Sequence, residues 1–373
     1  MMTKTGALRG GMPVYKFVGN KILSSFENRL LRTSFSEFHS GYRVYSVAAL
    51  KQIPFDLNTN DFHFDTEIII QLARAGLRIV ELPIPTYYGD EICRVNGLKY
   101  AWNVARSVVK ARAQDLGLFY DRRFDLPAHH KGNKQYQSKF EYGSTHSLTL
   151  ATIDANARVL DLGCAGGYMA TKLKQRKGCF VVGVDVYPPS QDADLDGFHR
   201  HDLNQGMPSI DMSQYDVLLL LDVIEHLNRP EEFVQRLRDA TKLSPNMRII
   251  VTTGNVAFII TRFMLLFGQF NYGKRGILDL THTRLFTFGS LRALFEQGGF
   301  RIVETRGVPA PFPLALGNGK LGRILVRLNE LLIRVSKRIF SYQVFMVLQP
   351  YASPEYLLQA AEVQSKIRSQ SSN

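Results

Sequence analysis

Between residues 149 and 350, short apolar runs alternate with amphipathic segments. The run YDVLLLLDV at 215–223 is almost continuously apolar, which is typical of a parallel strand buried on both faces. Further strands are predicted over 158–163, 180–186, 197–201, 247–253, 300–308 and 342–348, and helices over 168–177, 230–243 and 290–297. This alternation predicts an α/β fold with a doubly wound, mostly parallel sheet of seven strands.

The first 120 residues show a weaker pattern. Helices are predicted over 64–75 and 96–113, with one strand over 77–82, which is too few strands for an α/β domain of this length. The stretch 121–148 is polar and without periodicity, so we predict a linker there. The predicted organisation is a first domain at 1–120, the linker at 121–148, a second domain at 149–350 and a polar tail at 351–373.

Composition excludes several classes of protein. With 45% hydrophobic and 21% charged residues, the 373-residue chain is too apolar to be disordered throughout. No apolar run reaches the roughly 18 residues that a membrane-spanning helix needs. Three cysteines without CxxC spacing exclude a disulfide scaffold and a sulfur-ligated zinc site. The N-terminal residues lack the apolar core of a signal peptide, so we expect a cytoplasmic protein.

Residues 1–150 hold +7 of the net charge of +13, and the remaining +6 is concentrated in one segment. Residues 301–340 alone hold eight basic and two acidic side chains. A local basic face of this kind argues against a general nucleic-acid-binding surface. We therefore predict no nucleic-acid partner.

A glycine-rich turn, DLGCAGG at 161–167, follows the first strand of the second domain and leads into a helix. Small residues at such a turn let the backbone approach a ligand, and the helix N-terminus offers unpaired N–H groups. Asp185, which ends the next strand, suits the two hydroxyls of a ribose. Because Asp161 would repel a pyrophosphate, the turn favours a cationic ligand without phosphate.

These residues resemble class I S-adenosylmethionine-dependent methyltransferases over about residues 150–350. The resemblance implies a Rossmann-like sheet, methyltransferase activity and S-adenosylmethionine as the cofactor. It places His201-Asp202-Leu203 at the adenine and the segment 221–227, LDVIEHL, next to the transferable methyl group. The cofactor-binding residues that it implies are Asp161, Gly163, Cys164, Gly166, Gly167, Asp185, Asp202, Leu203 and Asp222.

Two histidines are candidates for the base that an acceptor hydroxyl needs. His226 follows the fourth strand, and its alternative role is a structural cap on the next helix. His282 lies in 276–287, a segment that resembles methyltransferases acting on sugars and lipid-linked substrates. Glu225 beside His226 provides two adjacent metal ligands without a third, so no metal site is predicted.

Two further segments are amphipathic. In 320–340, basic and aliphatic residues recur with a helical period, which fits either a peripheral contact with anionic membrane or an ordinary surface helix packed on the sheet. The segment 256–267 fits either a lid over the acceptor or a membrane contact. The location that follows is the cytoplasm, with peripheral contact at the inner face of the membrane as an option.

Residues 8–112 resemble the C-terminal half of polyprenyl-phosphate sugar transferases, which are GT-A glycosyltransferases related to dolichol-phosphate mannose synthase. The resemblance rests on segments such as SEFHSGYRVYSVAAL and NDFHFDTEIIIQLARAG, and it implies an acceptor side near Ser40, Gly41, Arg43, Asp65 and Glu67. That family's nucleotide-sugar-binding half, with its Asp-x-Asp metal motif, has no counterpart here. Asp192-Ala193-Asp194 has the right residue types but lies in the methyltransferase part, where chance explains it better.

The sequence therefore predicts a truncated glycosyltransferase–methyltransferase fusion. The predicted activity is methyl transfer to a hydroxyl of a sugar or polyprenyl-linked glycan, which would be the partner of the site. Two alternatives stay open: a glycosyltransferase completed by a separate chain, and a non-catalytic membrane-docking module.

Overall fold

The computed structural model describes residues 7–8, 10–40, 42–83, 95–115, 120–126, 143–313 and 319–371. The chain divides into two compact units. The first comprises residues 1–132 with 271–274, and the second comprises 133–270 with 275–373. No helix among the described residues is long and apolar enough to cross a membrane.

The described part of the second unit contains one seven-stranded sheet with strand order β3-β2-β1-β4-β5-β7-β6. Its strands are β1 Arg158–Leu162, β2 Phe180–Asp185, β3 Gly197–Arg200, β4 Val217–Leu221, β5 Arg248–Gly254, β6 Phe300–Val308 and β7 Gln343–Pro350. Strands β1 to β5 pair in parallel, whereas β7 runs antiparallel to both β5 and β6. The predicted α/β fold with a mostly parallel seven-stranded sheet is confirmed.

Helices pack against both faces of this sheet because successive residues of a strand point to opposite faces. Leu160 and Leu162 of β1 join one apolar cluster, and Val159 joins the other. The helices of this unit are α5 Thr145–Thr152, α6 Tyr168–Lys177, α7 Pro230–Ala240, α8 Ile259–Leu266, α9 Phe288–Gln297, α10 Lys320–Val335, α11 Lys337–Phe340 and α12 Pro354–Ser371. Helices α7 and α9 contribute to the first cluster, and α5 and α6 to the second.

The regular secondary structure of the first unit, over its described residues, consists of helices. Its helices are α1 Val14–Leu31, α2 Val47–Leu50, α3 Phe64–Arg74 and α4 Gly97–Asp115. The two predicted helices correspond to α3 and α4. The predicted strand over 77–82 is wrong, because this segment pairs with no strand in the described part of the chain. Gly41, named by the sugar-transferase resemblance, lies outside the described residues.

Three further predictions change with the structure. Residues 145–148 of the predicted linker belong to α5, since Ser144 and Ser147 form a capping box at its start. Residues 127–142 of that linker lie outside the described residues. The predicted polar tail forms α12 from Pro354. The amphipathic segment 256–267 contains α8, at the end of which Leu266 and Phe267 are exposed.

Candidate active site

The glycine-rich turn leaves the C-terminal end of β1 in a conformation that requires small residues. Gly163 has φ +81°, and a Cβ atom there would lie 2.4 Å from Cγ2 of Val223. Its N–H donates to the carbonyl of Val184 at 2.7 Å, which fixes the turn on β2. Gly167 has φ +74° and precedes α6 as its N-cap. Alanine at Gly163 would therefore combine backbone strain with a steric clash.

Asp185 at the end of β2 holds the turn. Its Oδ2 accepts the N–H of Ala165 at 2.8 Å, and its Oδ1 accepts the N–H of Tyr187 at 3.0 Å. Each carboxylate oxygen retains a further lone pair, so the side chain can still accept hydrogen bonds from a ligand's hydroxyl groups. Asp185 lies at the carboxyl end of β2, and its ribose contact stays a prediction.

Asp161 is the buried charge of this site, with 2% of its surface exposed. Burial, and then the negative charge of Asp185, raises the pKa of Asp161 to about 7. A carboxyl with that pKa is only partly ionised at neutral pH, because no cation in the described part of the chain compensates its desolvation. A positively charged ligand in the cleft would favour the ionised form.

The segment after β4 is held by residues that the sequence analysis missed. Asp222 adopts a positive φ of 55°, which is unusual for a residue other than glycine. Its Oδ1 accepts a hydrogen bond from the Thr252 hydroxyl at 2.9 Å, and its two carboxylate oxygens accept from Nε2 of Gln343 at 2.9 and 3.0 Å. Thr252 belongs to β5 and Gln343 begins β7, so no local sequence signal connects either residue to Asp222.

Glu225 is buried beside this carboxylate. Burial, and then the charge of Asp222, raises the pKa of Glu225 well above its ordinary range. The backbone of Glu225 has a separate role, because its carbonyl accepts the N–H of Thr283 at 2.9 Å. The Thr283 hydroxyl also donates to the carbonyl of Leu227 at 2.7 Å. These bonds attach the 276–287 segment to the end of β4.

The structure brings the two candidate bases together. The rings of His226 and His282 lie edge to face with their centroids 4.8 Å apart. Nδ1 of His226 lies 3.2 Å from the carbonyl of Thr281, and Nδ1 of His282 lies 2.9 Å from the carbonyl of Ile277. A carbonyl only accepts, so each Nδ1 carries the proton and each neutral ring has its basic lone pair on Nε2. Burial lowers the pKa of His282 and so favours its neutral form.

A cleft of about 900 Å³ opens at this end of the sheet. Most of the predicted site residues line it: Asp161, Gly163, Cys164, Gly166, Asp185, Asp202, Leu203, Asp222 and His226. Gly167 and His282 are not part of its lining. The glycine turn lines the cleft beside Asp185, whose carboxylate can still accept hydrogen bonds from hydroxyl groups, so the residues present fit an adenosyl cofactor. Among the described residues, no group of three or more potential ligands is arranged to hold a metal ion.

Residues 134–305 match the family model described as "Methyltransferase domain". This part of the chain is therefore a methyltransferase domain. The predicted class of enzyme, an S-adenosylmethionine-dependent methyltransferase, is confirmed at the level of this domain, and so is the predicted cofactor.

The chain is similar to O-methyltransferases of ubiquinone biosynthesis. It is 32% identical to the enzyme of Azorhizobium caulinodans over 40% of this chain and 61% of that one. It is 30% identical to the mitochondrial enzyme of Schizosaccharomyces pombe over 26% of this chain and 37% of that one. The matched region thus spans less than two thirds of either relative. A solved methyltransferase from Archaeoglobus fulgidus aligns with a TM-score of 0.39 and 17% identity, covering 59% of this chain and 100% of that one.

Proposed function

We propose that this protein transfers a methyl group from S-adenosylmethionine to a hydroxyl oxygen of a sugar or polyprenyl-linked glycan. The observation that carries the choice of oxygen is the histidine pair, whose Nε2 lone pairs are set by carbonyl contacts at Nδ1. Relatives that are O-methyltransferases support the same choice. The sugar or glycan comes from the sugar-transferase resemblance of residues 8–112, and it is the more specific part of the proposal.

The chemistry requires the protein to bind the methyl donor, to place the acceptor oxygen in line with the methyl carbon and to take up the hydroxyl proton. S-adenosylmethionine supplies an electrophilic methyl carbon bonded to a positively charged sulfur. Transfer of that methyl group would form a bond to the acceptor oxygen and break the carbon–sulfur bond, whose electron pair would stay on sulfur. His226 takes the hydroxyl proton at Nε2 in our proposal, because it lines the cleft whereas His282 does not. His282 then acts as a positioning residue through its edge-to-face contact with His226.

Cofactor binding is tested first, by calorimetric titration of the purified chain with S-adenosylhomocysteine. We expect micromolar binding by the wild type and a loss of at least about ten-fold in Asp185→Ala, since a charged acceptor is removed. Asp239→Ala is the matched control, because Asp239 is an exposed carboxylate on α7 outside the cleft. Absence of binding by a folded wild-type chain would refute the enzyme and favour the docking module.

The base is tested with His226→Asn and His282→Asn, in which the amide can still donate to the carbonyl that Nδ1 contacts. Transfer of labelled methyl to sugar and polyprenyl-glycan acceptors should fall about 100-fold or more in kcat for His226→Asn. The kcat of His282→Asn should fall less, and both variants should bind S-adenosylhomocysteine as tightly as the wild type. A wild-type rate for His226→Asn would remove this residue as the base.

A second proposal concerns the sugar-transferase resemblance of residues 8–112: we propose that this chain does not transfer sugar by itself. Incubation of the full chain with nucleotide sugars and a polyprenyl phosphate should give no transfer. Measurable sugar transfer would contradict the proposal. Sugar transfer that appeared only after addition of a separate polypeptide would support the alternative of a glycosyltransferase completed by another chain.

A further inference from the structure

Helix α10 presents its widest apolar face to solvent. Leu328, Leu331 and Val335 are 50%, 55% and 80% exposed. With Leu321, Ile324 and Leu332, which are also exposed, they recur at three- and four-residue intervals and so form one continuous stripe. We call these six residues the leucine stripe. Single exposed apolar residues are normal on protein surfaces, but a contiguous stripe marks an interaction site.

A different and narrower face holds α10 on the protein. Val326 and Asn329 are each 6% exposed and lie on the opposite side of the helix from the centre of the leucine stripe. Oδ1 of Asn329 accepts the N–H of Ala310 at 2.8 Å, while its Nδ2 donates to the carbonyl of Phe340 at 2.8 Å. A surface helix packed on the sheet therefore remains an alternative for this face, whereas the leucine stripe is exposed. The stripe is not needed to attach the helix.

Basic side chains flank the leucine stripe. Arg323, Arg327 and Arg334 lie along one side of α10, and α11 continues the row with Lys337 and Arg338. All five are exposed, and Glu330 is the only acidic residue in the two helices. The opposite charge of an anionic lipid surface matches this row. A second copy of the chain matches it poorly, since a two-fold contact through the stripe would bring two basic rows together.

The basic helices are connected to the cofactor cleft. Nδ2 of Asn255, just after β5, donates to the carbonyls of Arg338 and Ser341 at 3.2 and 2.8 Å. Two residues further on, Gln343 contacts the carboxylate of Asp222, which lines the cleft. These contacts join the end of α11 to β5 and, through Gln343, to a carboxylate of the cleft.

We propose that α10 and α11 dock this protein on anionic phospholipid, with the leucine stripe in the headgroup region and the basic row against lipid phosphates. The idea that the acceptor is itself carried by the membrane rests on the proposed function. Lipid binding does not, so we test it without cofactor or acceptor.

The test is flotation of the purified full chain with vesicles of phosphatidylcholine alone or with phosphatidylglycerol added. We expect binding to the anionic vesicles that weakens as salt is raised, because the attraction is electrostatic. Each basic residue near the surface should increase the partition coefficient about five-fold. Arg327→Gln with Arg334→Gln should therefore bind roughly 25-fold more weakly. Equal binding to both vesicle compositions would overturn the assignment of anionic lipid.

A second pair of variants separates the stripe from general surface effects. Leu328→Glu with Leu331→Glu should bind at least about ten-fold more weakly than the wild type. Leu357→Glu with Leu358→Glu is the matched control, since these leucines of α12 are 57% and 64% exposed and lie outside the stripe. The control should bind like the wild type, and retained binding of S-adenosylhomocysteine would show that the stripe variant is folded.

Three outcomes would overturn the proposal. The folded wild type could ignore anionic vesicles at low salt, or the stripe variant could bind as well as the control. A wild-type dimer that Leu328→Glu with Leu331→Glu converts to a monomer, without vesicle binding, would instead assign the stripe to a second copy. A failure of methyl transfer alone would leave the lipid result standing.

Discussion

Replacing Asp161 by asparagine should stabilise the methyltransferase unit in a pH-dependent way. Its side chain is fully buried, and burial followed by the charge of Asp185 raises its pKa from 3.8 to about 7. Since the folded-state value lies above the unfolded one, protonation favours the folded protein. The stability that the protonated carboxyl contributes to the folded state is fully present below about pH 4 and is lost as the pH rises through about 7.

The size of the effect follows from the two pKa values. They differ by about three units, and each unit corresponds to about 1.36 kcal/mol, which gives an upper bound of about 4 kcal/mol. Asp161→Asn avoids this cost while keeping nearly the same shape. Relative to the wild type, its free energy of unfolding should therefore be little changed at about pH 4 and up to about 4 kcal/mol higher at about pH 8.

Scanning calorimetry across this pH range measures the difference in free energy of unfolding between variant and wild type. The unfolding transition of the methyltransferase unit is the one that S-adenosylhomocysteine shifts to higher temperature. Subtracting wild type from variant cancels the other titrating groups. Asp239→Asn on the exposed surface of α7 is the control and should show no trend. In the wild type, S-adenosylmethionine should bind more tightly as the pH rises through about 7, a dependence that Asp161→Asn should lack. A stability difference independent of pH would refute the reasoning.

Three further changes test the packing around the site. Gly163→Ala should lower the free energy of unfolding by about 2–5 kcal/mol through strain and overpacking. In the control Gly197→Ala, the added Cβ would meet its nearest atom at 3.4 Å, so the loss should be about 1 kcal/mol or less. Thermal unfolding measures both, and equal losses would contradict the clash with Val223. Asn255→Leu should cost about 2–4 kcal/mol in the same assay, because two backbone carbonyls lose their donor, and a neutral result would show that water replaces it. Gln343→Leu should weaken S-adenosylhomocysteine binding in calorimetry by releasing the Asp222 carboxylate, and unchanged affinity would dismiss that coupling.

The sheet was predictable because each of its strands carries its own signal. An apolar run such as 215–223 predicts a buried strand without reference to anything else in the chain. Helix α12 carries no such signal, since its sequence is polar on most sides. The strand predicted over 77–82 is wrong although its sequence pattern suits a strand, because a strand also needs a neighbouring strand to pair with.

Some residues of the candidate site were predictable from the sequence and others were not. The glycine turn and Asp185 were predictable because the residues that act together follow one another at the ends of β1 and β2. Thr252 and Gln343 were not, since they reach Asp222 from positions 30 and 121 residues away. Likewise, the helical period of 320–340 predicts an apolar stripe but not which face of the helix packs on the protein. Only the fold supplies that information.

The reversed direction of β7 explains why α11 ends at the same edge of the sheet as the cofactor cleft. A parallel strand in this position would begin at the edge opposite the glycine turn. Because β7 is antiparallel to β5, its first residue, Gln343, lies beside Gly254 at the carboxyl end of β5. The helices that lead into β7 must therefore arrive at the edge of the sheet where the cofactor cleft opens. The same reversal places Nε2 of Gln343 against the carboxylate of Asp222, which lines the cleft.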